Sequence, residues 1–156
     1  MSAAVAEASG SGHATPQTRV YASTDEMRDL VQGFEATSLP YARWTHGAHL
    51  TVALWYLLWY GPDGALDAMR RGLVRYNAAH ANEPMRVGYH ETITRFWLGV
   101  VRRYLCSARL EGSLADLANG LIAAHTDREL PFKYYARERL LSDEARHAWV
   151  EPDTPW

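Results

Sequence analysis

Apolar residues recur along this chain at steps of three and four, and strict alternation of polar and apolar positions is scarce, so the pattern predicts helices throughout. Ser23-Thr24-Asp25-Glu26 reads as a capping box opening a first helix over roughly 24–36, which Leu39-Pro40 ends. Thr45 caps a second helix that runs to Tyr60 and stops at Gly61-Pro62. Asp63 caps a third, over about 64–79. A loop through Asn82, Glu83, Pro84 and Gly88 follows, then a fourth helix from near His90 to near Cys106. Ser113 caps a fifth that reaches about His125, and Ser142-Asp143-Glu144 caps a short last one after Leu130-Pro131 and an aromatic segment. No internal repeat is visible.

Short connections favour antiparallel neighbours. The expected fold is therefore all-α: a single-domain up-down helical bundle over 21–156 with a C-terminal cover segment, preceded by a disordered tail over 1–20. In that topology the starts of the second and fourth helices share one end of the bundle with the finishes of the third and fifth. His46 and His49 stand at the first start, His90 and Glu91 at the second, Tyr76, Asn77 and His80 at one finish and His125 at the other.

The histidines also fall on apolar stripes. His46, His49, Ala53, Leu57 and Tyr60 share a face of the second helix. His90, Ile93, Trp97, Val100 and Tyr104 do so in the fourth, and Leu114, Leu117, Leu121 and His125 in the fifth. Imidazoles buried without partners are costly, and a shared metal ion would satisfy all four. Side chains three apart on a helix are neighbours, so His46 and His49 can take one ion. Such a site suits a divalent transition metal, iron or copper first, zinc or manganese next. Glu91 would be a ligand or a general base, or else a residue favoured by the helix dipole. The alternative for each histidine alone is a satisfied core or capping role. His13 is read as tail, His80 as loop, His147 as surface, and Asn77 and Asn82 as turn and cap residues.

The segment over 130–140 leaves the fifth helix at the histidine end. It is expected to close over the pocket and to present Lys133, Tyr134, Tyr135, Arg137 or Arg139 to an anionic substrate. The alternative is a packing segment with surface ion pairs. Trp44 is the expected pocket wall, with Tyr76 beside it.

Composition narrows the classes. With 156 residues and 47% apolar, the chain can build a core, and six tryptophans with nine tyrosines can wall a pocket. A formal net charge of −2 gives no footprint for nucleic acid. The single cysteine, Cys106, excludes an internal disulfide. No signal segment opens the chain, and the apolar run Leu50–Tyr60 is too short to span a bilayer, so a cytoplasmic protein without a membrane partner is expected.

Three stretches, WTHGAHL (44–50), GYHETIT (88–94) and YYARERL (134–140), resemble a group of small bacterial all-helical proteins to which no activity is attached. The resemblance spans roughly residues 25–153. It implies that these segments work as one unit and carries no chemistry.

The expected function is a small metal-dependent enzyme acting on a small organic molecule, through oxygen chemistry at non-haem iron or copper, or zinc or manganese lyase or hydrolase chemistry. The alternatives are a metal- or ligand-binding protein without turnover and a metal-free helical interaction module. An oligomer is compatible with each.

Overall fold

Each long helix starts where the sequence supplies a capping side chain. The computed structural model describes residues 19–84 and 87–156, so His13 and nearly all of the expected tail lie outside it. Helix α1 (Thr24–Glu35) opens on Ser23, whose hydroxyl accepts the Glu26 amide, while Glu26 reaches back to the Ala22 amide at 2.7 Å. α2 (His46–Ala79) opens on Thr45, α4 (Leu114–Ala124) on a Ser113–Asp116 capping box, and α6 (Asp143–His147) on Ser142. α3 (Glu91–Ser107) opens on His90 itself, and α5 (Arg137–Leu140) is a single turn. Among the described residues there is no strand, so the protein is all-α. No helix is long and apolar enough to cross a membrane.

The second and third expected helices are the two arms of α2. They meet at Gly61, whose φ of 68° and ψ of 180° belong to a region open to glycine alone, and Pro62 then begins the second arm where no amide is needed. A straight helix would set Trp44 and Tyr76 roughly 48 Å apart at 1.5 Å per residue. Their ring centroids lie 5.2 Å apart, so the arms fold back on each other. Gly72 lets them close on α1, because a Cβ there would stand 2.7 Å from the Phe34 ring.

The main core joins Met27, Val31 and Phe34 of α1 to Leu50, Val52 and Leu54 of the first arm, Met69 and Tyr76 of the second, and Leu121 of α4. Phe96 and Val100 of α3 face a second cluster, with Tyr135, Leu140, Ala145 and Val150. α3 thus packs on both sides, against α2 and against the C-terminal segment. The Thr92 hydroxyl donates to the Ala148 carbonyl at 2.8 Å and accepts the Val150 amide, which fixes the last stretch across the start of α3. At the other end of the described chain, the amides of Val20 and Tyr21 both donate to Asn119 Oδ1 at 2.9 Å, and Arg19 pairs with Asp116. Residues 19–20 therefore belong to the folded unit rather than to a tail.

Candidate functional site

The start of α2 forms one wall of a cavity. A short 3-10 turn over Tyr41–Arg43 delivers Trp44 against Phe34, with ring centroids 4.4 Å apart and planes 13° from parallel. The same indole meets the His49 ring at 3.9 Å. Tyr76 holds this arrangement, since its hydroxyl donates to the Leu39 carbonyl at 2.8 Å and ties the approach to Trp44 onto the second arm. Aromatic contacts of this kind contribute about 0.5–1.5 kcal/mol each beyond their buried area, so the wall is preorganised. Tyr76 itself is fully buried and takes no part in the cavity surface.

Backbone carbonyls settle the tautomers of both histidines here, because a carbonyl can only accept. His49 Nδ1–H donates to the Thr45 carbonyl at 2.8 Å, which leaves Nε2 as a bare acceptor. His46 Nε2–H donates to the His125 carbonyl at 2.9 Å, which leaves Nδ1 bare, and its ring stands edge-on to Trp97 at 4.6 Å. Burial lowers the pKa of both rings, His49 to about 4, with the Thr45 bond opposing and the charge of Arg128 adding. Both imidazoles are neutral at pH 7. The accessible edge that His49 retains is the surface it gives to the cavity.

The start of α3 uses the same residue types differently. His90 is buried, and both its nitrogens are engaged: Nδ1 accepts the Ile93 amide as the helix cap, and Nε2–H donates to the Leu140 carbonyl at 2.9 Å. Glu91 is buried too. It takes a forked bond from Arg70, through Nε at 3.0 Å and through Nη2, and a third from the Tyr89 hydroxyl at 2.6 Å, with Arg95 3.9 Å away. The Arg70 bonds come first in holding its carboxyl below the usual carboxylate range. Glu91 does not line the cavity. It buckles the start of α3 to the second arm of α2, so neither a ligand nor a general-base role fits its position.

The cavity measures about 440 Å³, within the range of small-molecule sites. Ala53, Met69, Leu73, Ile93 and Trp97 give it apolar walls, and His46, His49 and His90 all touch it. Asn77, at the end of the second arm, is 9% exposed. Its carboxamide lines the cavity and makes no hydrogen bond among the described residues. Arg128 and Glu129, from the turn after α4, stand at the exposed rim with Phe132 and Arg146. Arg146 donates to the Tyr89 carbonyl at 3.1 Å.

Several expected residues lie elsewhere. The end of α4 does reach the site, but through the His125 carbonyl; the His125 ring turns to Tyr104 at 6.0 Å and lines a separate cavity of about 240 Å³. Of the segment over 130–140, only Phe132 touches the histidine cavity. Tyr135 is buried, its hydroxyl donating to the Val150 carbonyl at 3.0 Å, and Tyr134 packs on Phe96 and Trp156. Lys133 pairs with Asp127 at 2.9 Å and Arg139 with Asp153 at 3.5 Å. These four residues fasten the C-terminal layer and do not meet a ligand in this cavity.

Among the described residues, no three His, Cys, Asp or Glu side chains form a group able to hold a metal ion. The physical reason is the donor inventory: His90 has no lone pair left, Glu91 is held by Arg70 and Tyr89, and His125 faces away. The four-histidine centre expected from the spacing is not assembled. What the site offers chemically is two neutral acceptor nitrogens, an unpaired carboxamide, an aromatic wall and a cationic rim. The sequence places Asn77 at this end of the bundle but reads it as a turn or cap residue, and it gives no signal for Arg128; Ile93 and Trp97 are legible there as neighbours of His90 on one stripe. No protein-family model, no curated protein and no solved structure matches the chain.

Proposed function

We propose that this protein binds a small organic molecule in the cavity at the start of α2. The observation that carries the reading is the pair Asn77 and His49. The Asn77 carboxamide makes no hydrogen bond among the described residues and opens to the cavity, so a ligand can bond it without breaking a contact within the protein. His49 Nε2 adds an acceptor, so a ligand hydroxyl or amine that donates to His49 and accepts from Asn77 satisfies both. The apolar walls take the rest of the molecule, and the Phe34–Trp44–His49 stack holds the acceptor in place before binding.

Metal-dependent chemistry, the expectation from the histidine spacing, rests on a narrower base. A transition metal would draw on His46 and His49, whose free ring nitrogens supply two donors, and on donors from ligand or solvent. Elemental analysis of purified protein tests that reading: stoichiometric metal lost in both His46→Ala and His49→Ala supports it, and metal-free protein ends it.

Protein-observed NMR with a set of small aromatic alcohols and amides tests the binding reading. Ligands should shift the indole resonances of Trp44 and Trp97 and leave that of Trp59, exposed and outside the cavity, in place. Shifts confined to Trp59, or none at millimolar ligand, would contradict it.

A further inference from the structure

We propose that the ligand of this cavity is an organic carboxylate, a planar aromatic or conjugated body with one negative charge, and that Arg128 is the residue that selects it. The inference rests on the binding reading above and adds the charge of the ligand.

Two rim cations, Arg128 and Arg146, lack an ion pair among the described residues, and of the two Arg128 also lacks a hydrogen bond. The neighbouring charges are arranged so that it stays unpaired. Asp127, the residue before it, takes Lys133 on one oxygen at 2.9 Å and the Glu129 amide on the other at 3.0 Å. Arg146, the second cation of the lining, is turned onto the Tyr89 carbonyl. Glu129 stands on the same rim with the opposing charge and is not within ion-pair distance of Arg128. His46, His49 and His90 are neutral. Among the described residues the titratable lining therefore sums to one positive charge, carried by two arginines against one glutamate.

A guanidinium with its fork open matches a carboxylate in two parallel bonds. A ligand carboxylate seated there leaves its apolar body to run inward along Trp97 and Phe132. Its inner end meets His49 Nε2 and Asn77. Because His49 is neutral and accepts, the inner group must donate, which makes a hydroxyl or amine the matching substituent. The chemistry defined is a carboxylate at the mouth, a flat apolar middle and a donor at the inner end.

Three probes of one shape separate the charge from the cavity: 4-hydroxybenzoate, its neutral amide 4-hydroxybenzamide, and the cation 4-hydroxybenzylamine, titrated calorimetrically at pH 7. The benzoate should bind at least tenfold tighter than the amide, and the benzylamine should bind weakest. Arg128→Gln should weaken the benzoate about tenfold and leave the amide within twofold. Glu129→Gln, which removes the opposing charge, should tighten the benzoate by twofold or more. Added salt at 0.5 M should erode the advantage of the benzoate and spare the amide, because the rim is exposed. Equal binding of benzoate and amide, or a benzoate affinity unmoved by Arg128→Gln, would overturn the charge assignment and leave the cavity reading intact. Amide binding that beats the benzoate would do the same. If none of the three binds, the charge assignment falls; the cavity reading falls with it only if the wider alcohol and amide set also leaves Trp44 and Trp97 unmoved.

Discussion

The starts of α2 and α3 carry the same sequence signal and reach opposite outcomes. Each places histidine at a helix start on an apolar stripe, and each contributes to one cavity. At the start of α2, His46 and His49 each make one bond to a backbone carbonyl and keep one nitrogen free. At the start of α3, His90 bonds through both nitrogens and Glu91 is bound by Arg70 and Tyr89. The difference lies in what other elements bring. Arg70 and the Leu140 carbonyl come to α3 from distant parts of the chain and consume its polar groups. Among the described residues nothing comparable reaches His49 Nε2. One start is fastening; the other is the surface that we propose for recognition.

The largest effect separating the two is expected at Glu91. Glu91→Ala should cost about 3 kcal/mol of stability, the lower end for breaking a buried pair because Arg70 can regain water. Chemical denaturation measures it, and ligand affinity in the surviving native fraction should stay within twofold. An unchanged midpoint would remove the fastening role.

A similar magnitude is expected from acid. The folded pKa of His49, about 4, lies below its ordinary 6.5, so protons favour the unfolded chain. The ring costs no stability above pH 6.5, where it is neutral in both states, and a penalty grows as pH falls toward 4, on the order of 3 kcal/mol in all. His90, also lowered by burial, acts in the same direction. Glu91, with its folded pKa lowered from an ordinary 4.5, adds further loss as pH falls below that value. Denaturation midpoints from pH 7 to 4.5 should fall steadily, and His49→Leu should flatten that slope. A slope unaltered by His49→Leu would mean that its ring is not the partly buried neutral base described.

Smaller changes sharpen the contrast. His90→Asn retains a capping oxygen and loses the bond to Leu140, so about 1 kcal/mol is expected, against roughly twice that for His90→Ala. His49→Leu should cost under about 1 kcal/mol at pH 7, because the Thr45 carbonyl still accepts the residue 49 amide at 3.0 Å. The same change should weaken a hydroxyl-bearing ligand about tenfold, whereas His90→Asn should leave it within threefold. Reversal of those two binding results would exchange the roles assigned to the two helix starts.

The helices were legible because their causes are local. Ser23, Thr45, Ser113 and Ser142 sit where caps are needed, and Gly61-Pro62 marks the corner between the arms of α2. The meeting of His46, His49 and His90 was legible too, since stripe position and short connections constrain it. The partners of those side chains were not. Arg70 lies 21 residues from Glu91 and the Leu140 carbonyl 50 from His90, and nothing in the spacing encodes either pairing. His125 closes α4 as the cap residue, with φ −131° and ψ 50°, so the helical stripe no longer governs where its ring points. Arg128 lies in an irregular turn without periodicity, and Asn77, inside the last turn of α2, looks in sequence like an ordinary residue of a helix finish.

The most direct test of the contrast is the ring nitrogens themselves. Long-range proton–nitrogen NMR of the imidazoles at pH 7 reports each tautomer and whether each nitrogen is bare. The account predicts a neutral His49 with its proton on Nδ1 and a bare Nε2 whose resonance moves on titration with 4-hydroxybenzamide, beside a neutral His90 with its proton on Nε2 that does not move. A protonated His49, or a His90 nitrogen that responds to the ligand while His49 stays still, would contradict it.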